Sequence, residues 1–301
     1  MGTAAAEQLK KKYPTASITY VTGCRSLCET NPFIDHVIAV RPPADLRKEY
    51  LLFFLLRPFF KKAYHLLFWL PHDNILQDFM GKCELPRCNV PVNLFLTEGD
   101  KQLAKEYYVN LNLLPTRRTL AIQKDFDRKW NSAEFHKLKT SLSQKYNLVE
   151  IGEGMQCRGK MLNMREAAAV IRRCDLYVGG ISGTMHAAVA VGVPTVAIPN
   201  VSNPHWDMPE FYQNTLIPDE RKRHVTVWPE RISSCGNYQC VSLTKDYVDI
   251  KGGGFATKTC AAGFPLTCVQ AIPSEQVLKE VDQKISLMFD RHQLRHLPHN
   301  A

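Results

Sequence analysis

The chain is 301 residues long, and 45% of its residues are hydrophobic while 22% are charged. This composition excludes a disordered chain, and the length is sufficient for two domains of ordinary size. A formal net charge of +9 favours an acidic partner, such as a phosphorylated substrate, an anionic lipid or a nucleic acid. Aromatic residues do not interleave with a basic stripe as in RNA-binding motifs, so nucleic acid is the least favoured of the three.

Predicted helices and strands alternate through the first half. An alanine-rich helical pattern covers residues 3–13, and strand patterns follow at 16–22 and 33–40. A further strand is expected at 92–96 and a helix at 99–110. The polar, proline-containing segment 113–118 then marks the predicted domain boundary.

The most hydrophobic stretch is residues 50–70, which carries Arg57, Pro58, Lys61 and Lys62 in its interior. These four residues argue against a membrane-spanning helix. Two interpretations stay open: a core element, or a surface that lies on an anionic membrane. The N-terminus leads directly into a charged helical pattern, which is not typical of a signal peptide.

The second half follows a regular βα pattern. Strands are expected at 119–123 and 148–151, with Ser132 as the N-cap of the helix between them. Asn163 is expected to cap a helix at 164–173, and an amphipathic helix is predicted at 274–289. Repeated βα units predict a parallel sheet covered by helices on both faces, with ligands beyond the carboxyl ends of its strands.

The segment 175–199 is the most informative part of the chain. A short apolar strand runs to Gly179 and Gly180, a loop at 181–184 follows, and a small-residue helix at 185–191 leads into a second strand at 195–198. A loop that opens a helix N-terminus gathers unpaired backbone N–H groups and the positive end of the helix dipole. The segment therefore predicts a site for an anion such as a phosphate.

The ten cysteines, without an export signal, predict reduced thiols or a metal rather than a disulfide framework. Four of them lie in a loop-rich region with the spacing C-x4-C-x19-C-x7-C: Cys235, Cys240, Cys260 and Cys268. Four thiolates could hold zinc or iron tetrahedrally, and free buried thiols are the alternative.

Four stretches of sequence resemble glycosyltransferase family 9, the ADP-heptose:lipopolysaccharide heptosyltransferases. They are LKKKYPTASITYVT with ETNPFIDHVIAV, then DRKWNSAEFHKLKTSL, then MLNMREAAAVIRRCDLYVGGISGTMHAAVAVGVPTVAI, and TCVQAIPSEQV read with a break near the C-terminus. The third stretch carries the most specific likeness. The resemblance implies an α/β GT-B fold, in which two Rossmann-like parallel-sheet domains face each other across a cleft.

The resemblance also assigns regions to roles. Residues 1–116 would form the acceptor-side domain, residues 117–272 the nucleotide-sugar domain with its cysteine-rich loop, and residues 273–301 the final helix and tail. No organic cofactor is implied, and some members of the family carry a comparable cysteine cluster.

Five residues match positions that bind the donor diphosphate in the family. Ser182, Gly183 and Thr184 match the diphosphate loop, His186 matches a histidine of the same loop and helix, and Lys129 matches a basic residue before a tryptophan. Without the resemblance, Ser182 or Thr184 would be read as an ordinary helix cap, His186 as a filler and Lys129 as a solvated lysine. Trp130 is expected to pack rather than stack on adenine.

Two departures from the family pattern bear on activity. Ile181 stands where the family has Asp or Asn, and the family's first strand and its Gly-Asp pair, whose Asp would be the general base, have no counterpart. The expected base would therefore lie upstream of Met1, and the catalytic residues are unknown. A fragment of a longer protein and a non-catalytic relic are the two explanations.

The function implied is inverting transfer of a heptose or similar sugar from an ADP-sugar to a lipopolysaccharide core or other surface-glycan acceptor. The expected location is the cytoplasm, at the inner face of the cytoplasmic membrane, where a basic protein would contact anionic lipid. The alternative is an inactive GT-B remnant that binds nucleotide or acts as a scaffold. A donor other than an ADP-sugar, such as a UDP-sugar, also stays open.

Overall fold

The structure is a computed structural model, and it describes residues 2–39, 62–64, 80–85, 93–124, 130–199, 224–227 and 269–295. Most of the hydrophobic stretch at 50–70, for which two interpretations were open, lies outside these residues. Within the described ranges, no helix combines the length and the apolar character needed to cross a membrane.

The N-terminal region contains a pair of parallel strands. Its elements in chain order are helix α1 (Gly2–Lys12), strand β1 (Thr19–Thr22), helix α2 (Arg25–Cys28) and strand β2 (His36–Ala39). Strands β1 and β2 pair in register, with Thr19 opposite His36. The strand predicted at 33–40 is shorter in the structure because a turn precedes it, held by the Asn31 side chain, which accepts from the Phe33 N–H at 2.9 Å.

Helix α3 (Glu98–Val109) begins with a capping box. The Thr97 side chain accepts from the Asp100 N–H at 3.0 Å, and the Asp100 carboxylate accepts from the Thr97 N–H at 2.7 Å. The strand predicted just before it is wrong, since residues 93–96 have no strand conformation. Leu94 and Leu96 nevertheless pack on the core, and the Leu94 N–H donates to the Ala190 carbonyl at 3.1 Å.

The second half is built on a five-stranded parallel sheet, which confirms the predicted sheet type. The strands of this half, in chain order, are β3 (Thr119–Gln123), β4 (Asn147–Ile151), β5 (Gln156–Cys157), β6 (Lys160–Met161), β7 (Leu176–Gly180), β8 (Thr195–Ile198) and β9 (His224–Thr226). The sheet order is β4-β3-β7-β8-β9, while β5 and β6 form a separate antiparallel pair. Strand β7 is therefore central, with β3 and β8 beside it.

Four helices flank this sheet: α4 (Ser132–Lys145), α5 (Met164–Ile171), α6 (Gly183–Ala190) and α7 (Ser274–Arg295). The N-cap of α4 is Asn131, not Ser132, because Asn131 has the extended backbone and its side chain accepts from the Ala133 N–H at 3.0 Å. The predicted cap of α5 is confirmed, since Asn163 forms a capping box with Glu166.

The core has two layers, one on each face of the sheet. Alternate residues of β3 divide between them: Ala121 packs in the layer that contains α5 and α6, while Leu120 and Ile122 pack in the layer that contains α4 and α7. This division follows from the two-residue period of a strand. Helices thus cover both faces, as the sequence predicts.

The Asn147 side chain forms hydrogen bonds with the segment that connects α3 to β3. Asn147, at the start of β4, accepts from the Leu114 N–H at 3.0 Å and donates to the carbonyls of Leu114 at 2.8 Å and Arg117 at 3.1 Å. Asn147 is buried, so these bonds satisfy polar groups that would otherwise be costly.

Candidate donor-binding loop

The predicted anion loop lies at the carboxyl end of the central strand. Strand β7 runs through both glycines to Gly180, and α6 begins at Gly183, two residues earlier than the sequence pattern indicates. Ser182 is the N-cap, with an extended backbone at φ −160° and ψ 172°. The loop therefore occupies the edge of the parallel sheet where ligands bind in folds of this kind.

The first turn of α6 offers backbone donors to an anion. The N–H groups of Gly183 and Thr184 have no acceptor within the helix, because the first turn of any helix lacks one. Gly183 is exposed, while Ser182 and Thr184 are half-buried. The positive end of the helix dipole adds to the attraction for negative charge at this point.

Four side chains form what we call the loop cluster: Gln123, Tyr177, Ser182 and Thr184. Gln123 Oε1, at the end of β3, accepts from the Gly180 N–H at 3.1 Å. The hydroxyl groups of Tyr177 and Ser182 each lie 3.2 Å from the same oxygen. The Thr184 hydroxyl lies 2.8 Å from that of Tyr177 and 2.9 Å from that of Ser182. The cluster therefore ties β3, β7 and the start of α6 together.

Gly179 leaves the room that the cluster needs. A Cβ at this position would lie 2.7 Å from Gln123 Cβ and 2.7 Å from the Tyr177 hydroxyl oxygen. Both distances are shorter than any ordinary carbon contact, so a larger residue would displace the cluster. The glycine is thus required for packing rather than for an unusual backbone conformation.

Tyr177 enters this cluster as a neutral hydroxyl. Its side chain is fully buried, and burial raises the pKa of the phenol to about 12. At neutral pH the hydroxyl keeps its proton and can donate it to Gln123 or to Thr184.

His186 lies in the first turn of α6 and is half-buried. Burial lowers the pKa of its imidazole well below the ordinary value, so the ring is neutral at pH 7. A neutral imidazole has one N–H donor and one acceptor nitrogen. It can donate a hydrogen bond to a phosphate oxygen, but in this state it adds no positive charge.

Ile181, the residue that departs from the family pattern, points into the core. It is 7% exposed and belongs to the layer with α5 and α6. Its N–H donates to the Ile198 carbonyl at 3.2 Å. An apolar residue fits this position because its side chain is buried among apolar neighbours.

The other predicted site residues lie outside the part of the chain that the structure describes, and Trp130 lies in the core. Lys129 lies outside the described residues, and so do Cys235, Cys240, Cys260 and Cys268. Trp130 is buried, and its indole N–H donates to the Ile272 carbonyl at 2.9 Å, so it packs in the core as expected. Among the residues that the structure describes, no group of three or more His, Cys, Asp or Glu side chains could hold a metal ion.

Sequence reasoning missed Gln123 and Tyr177. No local pattern marks Gln123, because its partners lie 54 to 59 residues away and become neighbours only through the pairing of β3 with β7. For Tyr177 the sequence held a weak indication of a polar cluster, because the hydroxyl of a tyrosine inside a fully buried strand needs a hydrogen-bond partner.

A third missed residue, Arg165, connects α5 to the N-terminal region. Its guanidinium donates to Asp100 at 2.8 Å, to Glu29 at 2.7 Å and to the Ser26 carbonyl at 3.0 Å. The hydrogen bond from Arg165 is the main cause of the lowered pKa of Glu29. Burial opposes ionisation of Asp100, but hydrogen bonds from Thr97 and Arg165 outweigh it and lower the pKa of that carboxyl.

Comparison with known proteins agrees with the resemblance found in the sequence. Residues 126–215 match the family model described as glycosyltransferase family 9 (heptosyltransferase). This range contains α4, β4, α5, the loop cluster except Gln123, and β8. No curated protein sequence matches the chain.

Solved structures share the fold over nearly the whole chain. A family 9 glycosyltransferase from Veillonella parvula superposes with a TM-score of 0.64 at 19% identity, covering 94% of this chain and 92% of that one. The ADP-heptose lipopolysaccharide heptosyltransferase II of E. coli gives 0.60 at 15% identity, covering 95% of each chain. The dodecameric iron-containing heptosyltransferase TibC, in complex with ADP-D-β-D-heptose, gives 0.58 at 16% identity, covering 96% of this chain and 76% of that one.

At these low identities the superpositions show that the fold is shared, and the match to the family model shows the sequence relationship. The fold is the GT-B type expected from the resemblance, with a parallel sheet that presents the loop at its carboxyl edge. The predicted resemblance to glycosyltransferase family 9 is thereby confirmed: residues 126–215 match the model of that family, and the chain around them shares the fold of solved glycosyltransferases of the family.

Proposed function

We propose that the chain transfers a heptose or a similar sugar from an ADP-sugar to a lipopolysaccharide core or other surface-glycan acceptor, with inversion. The observation that carries this proposal is the loop at 181–184. It places the exposed start of α6 at the carboxyl edge of a parallel sheet, within the segment that matches family 9.

The chemistry that this loop supplies is stabilisation of the leaving group. When the bond between the sugar and the diphosphate breaks, negative charge grows on the departing nucleoside diphosphate. The Gly183 and Thr184 N–H groups, the Thr184 hydroxyl and the His186 ring can donate hydrogen bonds to these oxygens. Lys129 would add a positive charge.

The remaining parts of the proposal rest on the family resemblance and on charge. The acceptor would bind to residues 1–116 and the donor to 117–272, with 273–301 as the closing helix and tail. A net charge of +9 suits an anionic acceptor at the inner face of a cytoplasmic membrane. No described residue is assigned as the base that deprotonates the acceptor hydroxyl.

A metal is a separate part of the proposal. The four cysteines Cys235, Cys240, Cys260 and Cys268 are the candidate ligands, and a four-thiolate set suits zinc or iron. Elemental analysis of the purified protein, with and without serine in place of Cys235 and Cys240, tests it. One zinc or iron per chain, lost in the variant, supports the site, and a metal-free native protein removes it.

Nucleotide binding is the first test of the transferase proposal. Thermal unfolding is measured with ADP, UDP and no nucleotide. A ligand at 100 times its Kd stabilises a protein by about 2.7 kcal/mol, so binding should raise the melting temperature visibly. We expect ADP to stabilise the protein more than UDP does. A larger effect of UDP would replace the proposed donor with a UDP-sugar.

A substitution in the loop tests whether the nucleotide binds there. Thr184→Val removes a hydroxyl from the loop, and Thr140→Val removes one from an exposed position on α4. We expect only the first variant to weaken ADP binding. Incubation with ADP-heptose and a truncated lipopolysaccharide acceptor then tests transfer. Absence of both nucleotide binding and transfer would refute the enzyme proposal.

A further inference from the structure

Gln123 occupies a position from which it can act on both the loop and its ligand. It is half-buried at the last residue of β3, next to the central strand β7. Its Oε1 accepts from the Gly180 N–H, which belongs to the residue where β7 ends and the loop begins.

The orientation of the Gln123 amide is fixed by this contact. A backbone N–H can only donate, so the atom that faces Gly180 must be the carbonyl oxygen Oε1 and not the NH2 group. The hydroxyl oxygens of Tyr177 and Ser182 are each within hydrogen-bonding distance of the same atom, 3.2 Å from Oε1. The two N–H bonds of Nε2 therefore point away from these three groups, and no described residue accepts from them.

The hydroxyl protons of the cluster can all be used within it. An amide oxygen has two lone pairs, and the Gly180 N–H occupies one of them, so one hydroxyl at a time donates to Gln123. If Tyr177 donates to Gln123 and Ser182 donates to Thr184, the Thr184 hydroxyl can donate to the Tyr177 oxygen at 2.8 Å. The Nε2 hydrogens of Gln123 are then the side-chain donors of the cluster that have no acceptor within it.

We propose that Gln123 is a positioning residue of the donor site, and that its Nε2 group donates to the diphosphate of the nucleotide sugar. This inference rests on the proposed function. Oε1 holds the end of β7 and orients the Ser182 and Thr184 hydroxyl groups, while Nε2 faces the anion beside the start of α6.

Two substitutions test the contributions of Oε1 and Nε2 separately. Gln123→Glu keeps the shape and an oxygen for the Gly180 N–H, but it replaces the Nε2 donor with negative charge. Gln123→Met keeps the length and removes every hydrogen bond. Gln102→Glu, on the exposed face of α3, is the matched control for the added charge.

The experiment is titration of the purified proteins with ADP, followed by thermal unfolding without ligand. We expect Gln123→Glu to raise the Kd for ADP at least tenfold while its melting temperature stays close to that of the native protein. Gln123→Met should raise the Kd and also lower the melting temperature. Gln102→Glu, which places a second carboxylate beside Glu106, should leave the Kd unchanged. If Gln123→Glu does not fold, the raised Kd of Gln123→Met with unchanged binding by Gln102→Glu carries the test.

The outcome that overturns the inference is native ADP affinity in the folded Gln123 variants. This failure is distinct from failure of the proposed function, which would appear as absence of ADP binding by the native protein. A loss of melting temperature in Gln123→Glu with unchanged ADP affinity would also overturn it, because it would make Gln123 a purely structural residue.

Discussion

Gly179 shows how a single missing side chain shapes the site. The space where its Cβ would be is occupied by Gln123 and Tyr177, so the loop cluster depends on a residue without a side chain. A glycine in a buried strand is usually a weakness, and here it makes close packing of polar groups possible.

Substitution of Gly179 by alanine is therefore expected to damage both stability and binding. Two contacts at 2.7 Å must be relieved, and overpacking of this kind costs about 1–3 kcal/mol. Gly81→Ala is the control, since an added Cβ there meets no atom within 4 Å. Urea unfolding should show the loss only for Gly179→Ala, and ADP binding should weaken with it. Equal stability of the two variants would contradict this account of the glycine.

His186 makes stability depend on pH. Its folded pKa lies below that of the unfolded chain, about 6.5, so the unfolded state takes up the proton first. Protonation of His186 in the unfolded chain does not lower the free energy of unfolding above about pH 6.5, and it lowers that free energy increasingly as the pH drops through this value. His186→Gln removes this contribution.

Urea unfolding at pH 7.5 and at pH 5.5 measures the effect. The native protein should lose about 1 kcal/mol more between these two values than His186→Gln does, because burial disfavours the charged ring. Other histidines titrate in both proteins, so only the difference is informative. Equal losses would mean that the imidazole is solvated in the folded state.

At the scale of elements, Glu134 joins two helices on one face of the sheet. Its carboxylate accepts from Lys137 at 2.7 Å and from the Ser274 N–H, the first residue of α7, at 2.7 Å. The hydrogen bond from Lys137 and those from Ser274 lower the pKa of Glu134 to about 2. This interaction thus serves as a cap for α7 supplied by α4.

Glu134→Gln should destabilise the protein by about 1 kcal/mol at pH 7, since a charged acceptor is lost at a helix N-terminus. A folded pKa below the unfolded one means that the contribution is complete above about pH 4.3 and fades as the pH falls towards 2. Glu153→Gln, at an exposed residue outside the helices, is the control. A difference between native and Glu134→Gln that is as large at pH 3 as at pH 7 would refute the assignment.

The elements themselves follow from the sequence to different degrees. The βα units of the second half were predictable because their strands are short apolar runs and their helices have recognisable caps, such as Asn163. The cap of α4 was placed one residue late, because Asn131 and Ser132 are both good N-cap residues and only the backbone distinguishes them. The strand expected at 92–96 is not formed by the described residues 93–96, where Leu94 and Leu96 pack half-buried against the core without pairing in a sheet.

The candidate site was predictable only where it is local. Ser182, Gly183, Thr184 and His186 are consecutive or nearly so, and the strand, loop and helix pattern marks them. Gln123 and Gly179 acquire their roles through sheet order, which one sequence does not specify. The same holds for Arg165, whose partners Ser26, Glu29 and Asp100 are 65 to 139 residues away.

At the scale of the molecule, Arg165 fastens the N-terminal region to the second half. Its side chain is 12% exposed and that of Asp100 is 4% exposed, so this ion pair is largely removed from water. Removal of one partner from such a pair leaves an uncompensated buried charge.

Arg165→Met should therefore cost about 3 kcal/mol of unfolding free energy. Adding Asp100→Asn should restore part of that loss, because the amide removes the buried charge and can still cap α3. Urea unfolding of the native protein, both single variants and the double variant gives the coupling between the two residues. Strictly additive effects would show that the two groups act independently.

The bonds of Asn147 to Leu114 and Arg117 have a consequence for motion. Together with the packing of α3 on α5, they hold residues 97–118 against the large sheet. A movement of β1 and α2 relative to that sheet would therefore bend the chain before Thr97 and not at 113–118. Such a movement would also have to break the Arg165 contacts with Ser26 and Glu29.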